Sequence, residues 1–334
     1  MAQEAKVSVA TVNRVLSGSE AVRQGTRERV MLAAQQIGFY GMGALRSRVA
    51  AARPRYRFGF LLHQPGRAFY HNVAEALRLS AGVIADCEIE VRTEFLDDLS
   101  PQHIASRMLA LGQECDALGV VAAVHPLVVQ AVDTLQARNV PVFALISQIS
   151  ATGEIHYVGL DNWKVGRTAA WAFEHLCREP GKLGILVGNH RYRCQEMNES
   201  GFRSYFREHA PGFTLLEPLL TYESRAVAQE MTEKLLTDHP DLSGLYVAGG
   251  GITGAIAALR STRRAGKLIV VGYELMDVTR AALLDGTLTF VISHPLARIA
   301  QEALAGMVRA VSAPGEAGSL TAILPFDIYT RENI

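Results

Sequence analysis

Apolar residues recur in two registers along this chain. From residue 58 onward, short continuous apolar runs fall at 58–63, 88–95, 117–123, 140–145, 157–160, 183–187, 215–220, 244–248, 268–271 and 288–292. Between most of them, apolar positions return every three or four residues, as at 73–85, 102–111, 127–137, 165–177 and 227–236. Short unbroken runs read as buried strands, and the three-to-four spacing reads as helices with one apolar face. Strand and helix in alternation predict parallel sheets with helices on both faces. So many strands in about 275 residues predict two such sheets rather than one.

The first 57 residues follow another pattern. Val12, Val15 and Leu16 recur at helical spacing and can face a small core, which leaves Val9, Ala10, Asn13 and Arg14 on the outer face. The Ser8 hydroxyl can accept from a free N–H of the first turn, and Gly18 can end the helix. Residues 2–6 read as a helical stub upstream, and 22–37 lead through an amphipathic run to Phe39. Taken alone, residues 8–18 fit an ordinary capped surface helix. In this order, helix, tight turn, capped helix, loop and third helix make a helix-turn-helix plan. Small side chains such as Val9 and Ala10 can meet thymine methyls, and Arg14 can bond a guanine edge bidentately.

Charge sharpens that division. The chain is neutral as a whole, with 33 basic and 33 acidic residues. Residues 1–57, however, carry ten basic against three acidic residues, a net of +7, which leaves −7 on the rest. A basic arm on an acidic body is the asymmetry expected of a DNA-binding head joined to a small-molecule domain, although a solvated basic linker would account for the arginines of 46–57.

The run Val7-Ser8…Thr11-Val12-Asn13-Arg14-Val15-Leu16, then Thr26-Arg27-Glu28-Arg29-Val30, then Gly38-Phe39, resembles the headpiece of the LacI/GalR family of bacterial transcription regulators. The body resembles the periplasmic-binding-protein-like core of the same family, on the branch shared with ribose-type sugar-binding proteins. That second likeness rests on Phe69-Tyr70, Tyr157-Val158-Gly159-Leu160-Asp161-Asn162…Gly166-Arg167, Gly201-Phe202, Gly249-Gly250-Gly251, Val271-Gly272-Tyr273-Glu274 and Ile292-Ser293-His294-Pro295, taken in order. The resemblance implies an all-α headpiece over 1–40 whose first helix is cut short at Met1, a hinge over 41–57, and a body over 58–334 of two doubly wound α/β subdomains. These would be 58–156 with 292–321 and 157–291 with 322–334, the chain crossing near 156, 291 and 321. It places DNA contacts at Ser8, Val9, Ala10, Thr11, Asn13, Arg14, Thr26 and Arg27. In the hinge, Leu45 or Val49 could wedge into a minor groove.

Ligands in open α/β sheets sit beyond the carboxyl ends of the strands, which selects particular loops. Phe69 and Tyr70 could stack on a sugar ring or pack in a core. His125 and Asp161 could contact a ligand or simply cap the helices they precede. Arg193 and Asn198 precede Gly201; Asn198 falls where relatives carry a gripping Arg. Gly250 lies in a glycine run where sugar-binding relatives carry Asn-Asp. Glu274 falls at the family's hydroxyl-accepting Asp, and His294 at a family Gln. The set suits a polyol.

Catalysis is disfavoured: no Walker loop or dinucleotide fingerprint occurs, and His and carboxylates lack metal-ligand spacing, so no metal or cofactor is expected. Cys87, Cys115, Cys177 and Cys194 show no paired pattern and suit a reducing cytosol. No signal peptide or membrane span is visible. The reading is a cytoplasmic homodimeric repressor, bound to a pseudo-palindromic operator and controlled by a sugar-like effector. The alternative is a sugar-binding protein without DNA-binding activity.

Overall fold

A computed structural model describes residues 1–17, 22–40, 53–313 and 318–334. The chain divides into two compact units, residues 1–57 with 81–90, and residues 58–80 with 91–334.

In the first unit, residues 2–6 form one turn rather than a helix. It is closed by Val7 N–H to the Ala2 carbonyl at 3.0 Å and Lys6 N–H to the Gln3 carbonyl at 3.2 Å, with Lys6 left-handed at φ 50°. This is a Schellman ending with Lys where Gly is usual. α1 (Val9–Leu16) starts as expected: Ser8 Oγ accepts from Thr11 N–H at 3.1 Å. It ends on Ser17; the expected stop at Gly18 lies outside the described residues. α2 (Gln24–Gln36) packs against it through a small core of Ala5, Val12, Val15, Val30, Ala33 and Ala34.

The second unit holds two sheets, to which strands are assigned by pairing. In the first sheet lie β1 (Arg55–His63), β2 (Glu88–Leu96), β3 (Ala117–Val120), β4 (Val142–Leu145), β5 (His156–Leu160) and β12 (Thr321–Leu324), ordered β12-β5-β4-β3-β1-β2. In the second lie β6 (Lys182–Val187), β7 (Thr214–Leu215), β9 (Leu242–Val247), β10 (Ile269–Tyr273), β11 (Phe290–Ser293) and β13 (Asp327–Tyr329), ordered β13-β11-β10-β9-β6-β7, with β8 (Leu219–Leu220) also on β6. β1, β3, β4, β5 and β12 pair in parallel, as do β7, β6, β9, β10 and β11; β13 is antiparallel to β11.

The helices are α3 (Ala68–Val83), α4 (Pro101–Gly112), α5 (Pro126–Gln136), α6 (Asn162–Leu176), α7 (Arg193–His209), α8 (Arg225–Asp238), α9 (Ile252–Ser261), α10 (Asp277–Leu284) and α11 (Leu296–Ser312). Each lobe has its own core: Leu61, Met108, Val120, Val132 and Val142 in one, Leu186, Leu245, Ile256, Leu283 and Val291 in the other.

Three expectations are corrected here. The crossings foreseen near 156, 291 and 321 fall after Leu160, after Ser293 and after Leu324, because β5 and β12 pair in the first sheet and β11 in the second. The run 215–220 is two short strands, since Pro218 between them has no N–H to give a ladder. α3 begins at Ala68, so Phe69 and Tyr70 lie on its first turn rather than in a loop before it.

Both sheets reverse strand order beside their first strand. β1 lies between β2 and β3, and β6 lies between β7 and β9. The crevice at such a switch point collects the loops beyond β1 and β3 in one lobe and beyond β6 and β9 in the other.

Candidate functional site

In the head, the outer face of α1 is open: Val9 is 66% exposed, and Ala10, Asn13 and Arg14 are exposed. Ser8 and Thr11 hold each other's hydroxyls at 2.8 Å and serve first as the helix cap. Thr26 is half-buried and accepts a long bond from Arg29 at 3.4 Å. Arg27 does not join this face: it is buried, at 7% exposure. Its place in the i, i+3, i+7 series of Arg27, Val30 and Ala34 turns it inward, and Arg29 is the exposed cation of that turn. The expected wedge Leu45, with Val49 and the hinge around them, lies outside the described residues.

In the body, the crevice between the lobes holds a partly open cavity of about 300 Å³. It is lined from the first lobe by Arg67, Phe69 and Tyr70 and from the second by Asn162, Gln195, Asn198, Glu223 and Gly250, with Glu274 and His294 from the second lobe's strand ends. Six of the nine expected ligand residues therefore meet at one wall-to-wall site: Phe69, Tyr70, Asn198, Gly250, Glu274 and His294.

The other three do not line it. His125 N-caps α5, its Nδ1 accepting from Leu127 N–H at 3.2 Å. Asp161 N-caps α6, accepting from Lys164 N–H at 3.1 Å, and its carboxylate is turned onto its own helix. Arg193 is exposed and pairs with Glu196 at 3.5 Å. In each case a local partner satisfies the side chain.

Glu274 carries the tightest polar cluster. Its Oε1 lies 2.5 Å from His294 Nδ1, and Oε2 accepts from His294 N–H and Ser293 Oγ, both at 3.2 Å. A carboxylate only accepts, so His294 donates from Nδ1. His294 Nε2 is then buried with no partner, as is Asn162 Oδ1, whose amide nitrogen donates to the Leu160 carbonyl at 3.2 Å. The Phe69 ring stands 5.9 Å from that of His294. Tyr70 is less available, since its hydroxyl contacts His63 Nδ1 at 3.2 Å. Burial pushes the Tyr70 hydroxyl's pKa well up, so it stays a neutral phenol. The Cys194 thiol on the same wall is pushed up to about 12 by burial and is not a thiolate.

A second cluster was not foreseen. Arg67, from the loop after β1, reaches across the crevice to Glu223: Nη1 to Oε2 at 2.5 Å and Nη2 to the backbone carbonyl at 2.8 Å. Gln195 donates to Glu223 Oε1 at 2.7 Å and accepts from Gly188 and Asn189 N–H groups at 2.7 and 3.0 Å. Burial works against the Arg67 charge, but the Glu223 carboxylate beside it more than offsets that and raises its pKa. The glycines explain how two long polar side chains fit. A Cβ at Gly188 or Gly250 would collide with the Glu223 carboxylate, and one at Gly249 with Gln195. The run Gly249-Gly250-Gly251 was the available signal: backbone without side chains leaves room that another segment fills. Glu223 and Glu274 also share left-handed backbone, at φ 59° and 67°, a strained conformation that concentrates at functional sites.

The body is thus two lobes around a cleft, and the head is a small helical unit built on α1 and α2. Residues 1–41 match bacterial regulatory proteins of the lacI family, and residues 58–316 match the periplasmic binding protein domain. The chain belongs to the periplasmic binding protein domain family through its body, and its first 41 residues match the lacI family of bacterial regulatory proteins. It is similar to the ribose operon repressor of Halalkalibacterium halodurans, at 24% identity over 82% of this chain and 78% of that one. It is also similar to a D-apiose import binding protein of Paraburkholderia graminis, at 25% identity over 53% of this chain; the match spans 56% of that relative's length. Among solved structures, a solute-binding protein of an ABC transporter from Agrobacterium vitis, with D-fucose bound, superposes with a TM-score of 0.74 at 17% identity, over 83% of this chain and 96% of that one. That likeness shows the fold.

Proposed function

We propose that the protein is a transcriptional repressor of the cytoplasm that binds a pseudo-palindromic operator as a homodimer, and whose operator affinity a sugar or sugar derivative controls. The observation that carries this reading is the pairing, on one chain, of an open recognition face (Val9, Ala10, Asn13, Arg14) in a +7 head with a cleft between two lobes that holds unpartnered buried polar atoms. The names of its relatives, a ribose operon repressor and a sugar import binding protein, agree with both halves. Ligand and DNA then act on each other through one coupling free energy, equal in both directions.

The test begins with selection of bound sequences from a random duplex library, followed by fluorescence anisotropy on the selected site. A two-fold repeat in the selected site, affinity that falls steeply between 50 and 200 mM salt as expected of a cationic head on phosphate, and a change on adding one sugar support the reading. Sugar binding without any DNA selection would establish the alternative, a solute-binding protein.

A further inference from the structure

We infer that residues 189–195 form a strap that holds the two lobes together through the protein's own bonds, so that the cleft is assembled before an effector enters it. This device is independent of what the cleft binds. The segment leads from β6 into α7 and so belongs to the second lobe. Its partners stand at the ends of three strands of the first lobe. The Tyr192 hydroxyl lies 3.4 Å from both ring nitrogens of His63, the last residue of β1, and the two rings meet edge to face with centroids 5.2 Å apart. The Arg191 carbonyl accepts from Val124 N–H, beyond β3, at 2.8 Å. Cys194 N–H donates to Ser147 Oγ, beyond β4, at 3.4 Å.

The strap is braced within its own lobe. Tyr192 N–H donates to the Asn189 carbonyl at 3.0 Å, Asn189 Oδ1 accepts from Arg191 N–H at 2.9 Å, and His190 Nε2 pairs with Glu199 at 2.7 Å. At its far end Gln195 grips Glu223, the residue that Arg67 reaches from the first lobe. Each of these bonds joins one protein group to another, so none waits on a ligand. Burial works in the same direction. Tyr192 is 5% exposed, and His63, against which it packs, is buried and held in its own lobe by the Val121 carbonyl at 2.7 Å and the Tyr70 hydroxyl at 3.2 Å. Parting the lobes would bare an aromatic ring and take the Val124 N–H from its acceptor, so their meeting is favoured with no contribution from the cavity. Tyr192, Cys194 and Gln195 also line that cavity, so the segment that joins the lobes is a wall the effector meets. Tyr192 is a positioning residue in this sense: with the lobes already together, an effector loses no affinity to a sparsely populated binding form.

The test is hydrogen–deuterium exchange of the full chain without any sugar, read at single residues. Val124 N–H has its acceptor across the cleft, whereas Leu118 N–H donates to the Pro141 carbonyl within the first lobe at 2.9 Å and serves as the control. We expect both amides to be protected in the wild type. Tyr192→Ala should speed exchange at Val124 by roughly tenfold or more and leave Leu118 unchanged. Wild-type exchange of Val124 at the rate of a free amide, beside a protected Leu118, would overturn the inference. That comparison needs no altered protein and so stands even where Tyr192→Ala folds poorly. Unchanged protection of Val124 in Tyr192→Ala would overturn it too. So would protection of Val124 that appears only on adding D-ribose, D-allose or D-apiose, a result that would support the effector reading while removing the strap.

Discussion

Replacing Arg67 by Met removes the cation that spans the cleft and keeps most of its aliphatic length. Two bonds to Glu223 disappear, at 2.5 and 2.8 Å, and the carboxylate keeps only Gln195. The Glu223 side chain is 6% exposed and that of Arg67 25%, so the pair lies well inside the range where removing one partner costs more than it does on a surface. Hydrogen bonds to charged groups contribute about 1.5–3 kcal/mol. Arg67 and Glu223 stand on different lobes, so this loss falls on the arrangement in which the lobes meet. We expect Arg67→Met to move the ligand-free closed-to-open ratio by about 2–3 kcal/mol, roughly 30- to 150-fold. Small-angle scattering of the ligand-free protein reads it directly, as a larger radius of gyration in the variant. Glu223→Gln should shift it less, and the double variant should show coupling rather than additivity. Superimposable scattering curves for wild type and Arg67→Met, or strictly additive single effects, would refute the view that this ion pair holds the lobes together.

Arg14→Ala should weaken binding to a selected operator by about 1–3 kcal/mol by anisotropy if the contact is bidentate to a base, and should leave the melting temperature alone, since Arg14 is exposed. Burial pushes the His63 pKa down from 6.5 to about 4, against the opposing pull of Glu223. Between those values the unfolded chain holds the extra proton, so stability falls as pH drops from 6.5 toward 4, by about 3 kcal/mol in total, and is unaffected by this group above 6.5. Urea midpoints at pH 7.5 and 4.5 should therefore diverge more for the wild type than for His63→Gln; equal divergence would remove His63 as the cause. Gly166→Ala drives a Cβ into the Asn198 carbonyl where α6 crosses α7, and should cost about 1–3 kcal/mol by denaturant unfolding.

Periodicity, caps and turn residues act locally, so the sequence alone carried the alternating strands and helices, the Ser8 cap, the two faces of α1 and the division of charge between head and body. Loop positions beyond strand ends also carried Glu274 and His294 into the cleft, while Phe69 reached it from the first turn of α3. A buried strand reads the same in either sheet, and so pairing alone placed β5, β11 and β12 and moved the three crossings. Likewise, a polar residue before a helix can turn to its own first turn or away from it. His125 and Asp161 took the first course, while Asn162, one position on, reached the cavity. Most of all, the Arg67–Glu223–Gln195 cluster joins positions separated by up to 156 residues, through space left by three glycines. No local pattern records such a contact, because its partners become neighbours only after both lobes have folded.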